Sequence, residues 1–187
     1  LKNANKPPDM LTFAGNGEPT LNPDFPGIID DTIELRNKYF PETEIAVLSN
    51  ATTITIPRIK KALLKVDKNI LKFDSGFDHT VKTHNQPGVD LKVAELIENL
   101  SKFKGQLIIQ TLFLRGEYRG KTIDNTTPEE LSEWLKGIEI IKPSEVMIYT
   151  ISRDTPDEGS LYKVPPAELR RIASMVEKLG IKTQVSG

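Results

Sequence analysis

The chain reads as an α/β protein whose parallel sheet carries helices on its outer face. Three observations point there. Short apolar runs of strand length alternate with longer stretches of helical periodicity along the sequence. The strand runs are apolar almost without interruption, as in parallel strands covered on both faces. The helical stretches open on N-terminal signals, Thr127-Pro128-Glu129-Glu130 and Pro165-Pro166-Ala167-Glu168, and one is followed by a candidate C-cap, Gly180. No repeat, low-complexity tract or linker interrupts the alternation, so residues 1–187 are expected to form a single domain. Right-handed crossovers would curl such a sheet into a barrel or a doubly wound layer.

In chain order, strands are expected at about 10–14, 45–49, 69–74, 107–113, 145–151 and 182–186, with helices near 24–39, 56–65, 90–101, 128–140 and 166–179. Ligands of parallel α/β folds sit at the carboxyl ends of the strands. The loops after each strand are therefore where chemistry is expected.

Composition narrows the class. Hydrophobic residues make up 37% of the 187 and charged residues 27%, ordinary for a globular protein. A formal net charge of −1 provides no global field toward nucleic acid or membrane. No apolar run is long enough to span a bilayer and no signal-peptide pattern is present, so a cytoplasmic location is expected. There is no cysteine, which excludes disulfides, thiolate metal sites and a cysteine nucleophile within the chain. The chain reads as a fragment, since it runs into a strand by about residue 10.

The loop after the first strand is Gly15-Asn16-Gly17-Glu18-Pro19. Glycines let a ligand approach the backbone closely, and Pro19 holds Glu18 extended. A carboxylate beside free peptide oxygens can hold an ammonium group through charge-assisted hydrogen bonds. The competing reading is a turn whose acid caps a helix N-terminus. The second loop, Ser49-Asn50-Ala51-Thr52-Thr53, is a cluster of small polar groups that ordinary turn chemistry also explains. The third places Asp74 at a strand end, where an acid can accept two ribose hydroxyls or serve as a cap or ion-pair partner. Lys72 is a candidate partner for a carboxylate.

His79 and His84, with Asp74 and Asp78 nearby, are expected to be surface histidines of a loop rather than a metal site. Arg115 next to Gly116 can meet a carboxylate or phosphate, or pair with Glu117. Asp124-Asn125-Thr126 reads as capping before a helix. Tyr149, Ile151 and Arg153 share one face of the fifth strand and its extension.

These segments together resemble the radical S-adenosylmethionine (SAM) superfamily. TFAGNGEPTL resembles its glycine-rich glutamate motif in the GNGEP form. SNAT resembles its Ser-Asn-Gly-Thr segment, with Ala51 in place of the glycine. KFDS resembles its Lys-Leu-Asp-Ala segment. HNQP stands where Asn-Arg-Pro is usual, and YTISRDTP resembles Tyr-Thr-Ile-Asp-Arg-x-Thr-Pro with Ser152 for the Asp. The order and spacing cover nearly the whole chain. The nearest branch is that of wyosine-synthetase-like and pyruvate formate-lyase-activating-like proteins.

The resemblance implies a partial (β/α)6 TIM-like barrel that lacks its first strand and the CxxxCxxC loop. It implies SAM as cofactor and a [4Fe–4S] cluster whose ligands lie upstream of this chain, together generating a 5′-deoxyadenosyl radical for hydrogen abstraction. It implies cofactor contacts by Asn16, Gly17, Glu18, Pro19, Ser49, Asn50, Asp74 and Arg153, and substrate contacts by Arg115 and Tyr149. No residue here is assigned as catalytic acid or base. The implied partners are a protein, RNA or small-molecule substrate and an electron donor such as flavodoxin or ferredoxin. The fragment alone is expected to be inactive. The alternative is a non-catalytic α/β module that binds a nucleotide or peptide.

Overall fold

A computed structural model describes residues 7–15, 17–85, 88, 90–118, 120–151 and 160–187. The chain divides into two compact units, Leu1–Leu71 and Lys72–Gly187. Among the described residues there are eight strands and six α-helices, so the α/β class read from the sequence holds.

The first unit builds β1 (Met10–Phe13), a 3-10 turn (Pro19–Leu21), α1 (Phe25–Tyr39), β2 (Glu44–Ser49), α2 (Pro57–Leu63) and β3 (Lys68–Lys72), which runs to the unit boundary. β1 lies parallel to β2 with Met10 opposite Glu44, and β2 lies parallel to β3 with Ala46 opposite Lys68. Phe25 and Ile29 of α1 and Ile59 and Leu63 of α2 are buried, as are Ile45 and Val47 of β2. The strand ends at the amino edge are tied together by one carboxylate. Asp67 Oδ2 accepts from the Ile45 amide at 2.8 Å and from Arg36 Nη1 at 3.0 Å.

The second unit contains α3 (Asp78–Asn85), α4 (Val93–Ser101), β4 (Ile108–Tyr118), β5 (Lys121–Asp124), α5 (Pro128–Ile141), β6 (Glu145–Thr150), β7 (Ser160–Lys163), α6 (Pro166–Glu177) and β8 (Lys182–Ser186). β4, β6 and β8 are parallel, with Ile108 opposite Glu145 and Glu145 opposite Lys182. β4 continues well past its expected end. Its last residues pair antiparallel with β5 on one side and β7 on the other, Arg115 lying opposite both Asp124 and Tyr162.

The start signals read from the sequence are realised. Thr127 Oγ1 accepts from the Glu130 amide at 3.3 Å, with Pro128 in the first turn of α5. Gly180 closes the turn after α6 at φ +77°, a left-handed conformation that glycine adopts without steric cost. The stretch holding the histidines is not a loop: α3 occupies it. That helix is short and polar, and its first residue is tied outward, since Asp78 Oδ1 accepts from the Val93 amide that opens α4 at 2.8 Å.

Trp134 of α5 is 1% exposed and meets Phe113 edge-on at 5.1 Å. Close approach around it needs a glycine. A Cβ on Gly137 would stand 2.5 Å from the Phe73 ring. Gly137→Ala is therefore expected to destabilise the second unit by about 1–3 kcal/mol through overpacking, read as a lower urea midpoint.

Candidate functional site

In the first unit, Glu18 has the extended backbone expected before proline, φ −85° and ψ 113°. Its side chain does two things. Oε1 accepts from the Thr20 amide at 3.1 Å and from the Thr20 hydroxyl at 2.5 Å, capping the 3-10 turn. Oε2 reaches the next loop and accepts from the Asn50 amide at 2.6 Å. The capping reading is thus correct as far as it goes, and the same carboxylate also joins the loops after β1 and β2. Thr20 and Thr53, both buried, exchange a hydroxyl hydrogen bond that ties the two loops a second time.

Asn16 lies outside the described residues. A Cβ at Gly15 or Gly17 would meet nothing within 4 Å, so the backbone beside Glu18 is open to a ligand. Ser49 Oγ is buried and accepts from the Ala51 amide at 3.1 Å, while Asn50 Oδ1 accepts from the Thr52 amide at 2.9 Å. These are turn interactions. They hold Ala51 at φ +64°, a left-handed position that explains why a glycine would suit it.

In the second unit, Asp74 follows β3 and its side chain is 0% exposed. Oδ1 accepts from the Leu112 amide at 2.8 Å. Oδ2 lies 3.2 Å from Lys72 Nζ, the carboxylate partner expected for that lysine, and has no hydrogen-bond partner. The segment that carries Asp74 is pinned by side chains far away in sequence. Trp134 Nε1 donates to the Phe73 carbonyl at 3.2 Å and Thr111 Oγ1 donates to it at 2.7 Å. Asn125 Nδ2 donates to the Asp74 carbonyl at 3.0 Å and the Leu112 carbonyl at 2.8 Å, and Asn125 Oδ1 accepts from the Leu114 amide at 3.0 Å.

Asn125 was expected to cap. The cap of α5 is Thr127, and Asp124 accepts from the Thr126 amide at 2.8 Å in the turn before it, whereas Asn125 is a buried clamp. An Asn in a Ser/Thr/Asp cluster before a helix carries no sequence signal that separates these two roles. Glu130, read as a first-turn acid, is buried as well. It accepts from Ser75 Oγ at 2.6 Å and from Thr80 Oγ1.

The surface expectation fails for His84. Both of its ring nitrogens are buried without a hydrogen-bond partner, whereas His79 is exposed beside Phe77. Burial holds the His84 imidazolium pKa below the ordinary value, Asp74 opposes this, Lys72 adds to it, and Glu130 opposes it more weakly. The ring is neutral at pH 7. Tyr149, half-buried on β6, has its phenol pushed above the usual tyrosine range by burial and by the Asp74 charge.

Arg115 pairs not with Glu117 but with Glu168, Nη2 to Oε1 at 2.7 Å, and donates to Thr126 Oγ1 at 2.6 Å. It lines a cleft of about 720 Å³ between α5 and α6 with Leu135, Glu168 and Met175, a cleft that neither Asp74 nor Tyr149 reaches. Arg153 lies outside the described residues. Among the described residues, no three His, Asp or Glu side chains group as a metal site, and no helix is long and apolar enough to cross a membrane.

No family model matches the chain. A GTPase Obg of Brachyspira hyodysenteriae is 28% identical over 158 residues, 82% of this chain and 22% of that protein. A UPF0026 protein of Synechocystis sp. is 26% identical, covering 82% of this chain and 54% of its own length. A UPF0026 protein of Methanocaldococcus jannaschii is 28% identical, covering 86% and 47%. The chain thus spans about a fifth to a half of the curated relatives it matches.

Among solved structures, a domain of pyruvate-formate lyase-activating enzyme from Bacteroides vulgatus aligns with TM-score 0.64 at 13% identity, covering 95% of this chain and 98% of that one. A radical SAM methyltransferase from Sphaerobacter thermophilus aligns with TM-score 0.69 at 14% identity, covering 98% and 52%. Streptococcus suis SuiB bound to S-adenosylmethionine aligns with TM-score 0.64 at 14% identity, covering 95% and 38%. The fold is that of the radical SAM enzymes. The resemblance read from the sequence and the partial-barrel α/β class both stand at that level.

Proposed function

We propose that the chain is the cofactor-binding core of a radical SAM enzyme. The observation that carries this reading is the Glu18 carboxylate. A carboxylate offers about four acceptor positions. Thr20 takes two on Oε1 and the Asn50 amide takes one on Oε2. One position on Oε2 remains for a ligand N–H, next to backbone that glycines leave open. An ammonium group, as on the methionine end of SAM, suits that acceptor.

Ser49 and Asn50 would then set the floor under the ligand. Asp74 in the second unit, with Arg153, is assigned to the cofactor or to the substrate beside it. SAM bound beside a reducing cluster supplies a hydrogen-abstracting radical. This chain has no cysteine, so its own residues do not fit a thiolate-held cluster. What the chain's residues do is grip the amine and orient the nucleoside.

The test is SAM binding by calorimetry. Glu18→Gln removes the charge while keeping the shape, and should weaken binding by about 10–100-fold, the value of a charge-assisted hydrogen bond. In a protein that joins this chain to a cluster-binding segment, Glu18→Ala should abolish 5′-deoxyadenosine formation. Unchanged affinity in the first assay, or normal 5′-deoxyadenosine in the second, rules the assignment out.

The absence of cysteine favours a second reading, a non-catalytic α/β module that binds a nucleotide or peptide. A CxxxCxxC segment upstream in the native reading frame separates the two.

A further inference from the structure

Helices cover one face of the parallel strands in the second unit. Ile109, Thr111 and Phe113 of β4 and Val146, Ile148 and Thr150 of β6 are buried, with Phe113 against Trp134 of α5. Side chains alternate across a strand, so Gln110 and Leu112 of β4 and Glu145, Met147 and Tyr149 of β6 stand on the opposite face, where each is half-exposed. Register joins them into rows that continue onto β8. Gln110 lies opposite Met147, and Met147 opposite Gln184. Leu112 lies opposite Tyr149, and Tyr149 opposite Ser186. Gln184 and Ser186 are exposed. The Phe73 ring approaches Gly137 of α5, so Lys72 and Asp74 on either side of it belong to the open face.

The chemistry of this face selects its ligand. Lys72 meets Asp74 at 3.2 Å and Glu145 lies opposite Lys182, so the face carries no net charge. Burial pushes the Tyr149 phenol above the usual tyrosine range, which keeps it neutral. Phosphodiesters call for an excess of cations, and the face offers none. Neither the Gln110 nor the Gln184 carboxamide is held by a hydrogen bond to another described residue. A carboxamide both donates and accepts, as a peptide group does. Neighbouring strands lie about 4.8 Å apart, so β4 and β8, with β6 between them, set these glutamines about 10 Å apart. Three residues of extended chain span about the same distance.

We propose that this face recognises an extended, uncharged peptide segment of the substrate that crosses β4, β6 and β8, its backbone amides three residues apart pairing with Gln110 and Gln184 while Met147, Leu112 and Tyr149 cover its side chains. Calling the peptide a substrate rests on the radical SAM reading, whereas its binding to this face does not.

The protein has three methionines, Met10, Met147 and Met175, so methyl-labelled methionine gives three signals, each assigned from a leucine variant at that position. Met147 reports on the face, and Met175, in the cleft between α5 and α6, is the control. A capped, uncharged hexapeptide of alanine, serine and glycine is titrated, and hexauridylate and maltohexaose are titrated separately. Saturable movement of the Met147 signal with the peptide alone is expected, with Met175 unmoved. Gln184→Ala and Gln110→Ala should each weaken hexapeptide binding about fivefold, the range of one lost hydrogen bond. A capped dipeptide, whose end amides are about 7 Å apart, cannot bridge the two glutamines and should bind about as weakly. Gln184 is exposed, so its variant reports even where Gln110→Ala fails to fold. Movement of Met147 with hexauridylate or maltohexaose in place of the peptide overturns the proposal. So does the lack of any saturable response, or equal hexapeptide affinity in the parent and Gln184→Ala. The titration contains no SAM, so its failure and the failure of the Glu18 calorimetry are separate results.

Discussion

Asn125→Leu is expected to destabilise the second unit by about 3–5 kcal/mol. The substitution keeps the branched shape and adds bulk, so cavity formation is not the cause. It removes one acceptor and a double donor at a site that is 1% exposed. Three backbone groups lose their partner together: the Leu114 amide, the Leu112 carbonyl and the Asp74 carbonyl. Each left unpaired costs about 1–3 kcal/mol when water cannot reach it. Asn125→Ala leaves room for water and should cost less than the leucine variant despite its smaller side chain. Urea unfolding of both variants measures this. A leucine variant within 1 kcal/mol of the parent, or an alanine variant clearly worse than leucine, contradicts the clamp (a threshold set by the lower bound for one lost partner).

Trp134→Ala is the second. A fully buried aromatic replaced by alanine costs about 3–5 kcal/mol through lost apolar burial and the cavity left behind. Here the indole also donates to the Phe73 carbonyl and to Thr111 Oγ1, both at 3.2 Å. Trp134→Phe separates the parts. It keeps the edge-on contact with Phe113 and loses the N–H, so it should cost about 1–2 kcal/mol, the value of one buried hydrogen bond and a modest loss of area. If both variants cost the same, the hydrogen bond carries the effect and packing does not. Either variant should also loosen the Phe73–Asp74 segment, seen as faster amide exchange at Leu112, whose N–H is held by Asp74.

Both predictions concern residues whose role the sequence hides. What was legible there is local. The parallel strands, the Thr127-Pro128 helix start and the Gly180 turn follow from apolar runs, capping chemistry and backbone freedom within a few residues. Glu18 was legible for the same reason, because its extended backbone is dictated by the next residue, Pro19. Ala51, noted in the sequence only as standing where a glycine is usual, takes the left-handed conformation that glycine adopts without steric cost.

Other features were not legible because their causes lie far away in the chain. α3 is an eight-residue polar helix with weak intrinsic preference. It is held by Thr80 bonding to Glu130 fifty residues later and by Asp78 bonding to the Val93 amide. β5 and β7 are four residues each and exist as strands because β4 runs on to Tyr118 and presents both edges. Arg115 faced two acids in principle, Glu117 two residues away and Glu168 on α6, and the fold selects the distant one.

By itself, then, the order of residues determined the α/β alternation and the acid presented by the first glycine-rich loop, since steric and capping rules act between chain neighbours. Only the tertiary structure decided that Asn125 is a clamp, that both ring nitrogens of His84 are buried, and that Asp74 divides its oxygens between the Leu112 amide and Lys72. Those properties belong to hydrogen-bond partners contributed by residues 11 to 51 positions apart, and desolvation acts on groups only once such segments have come together.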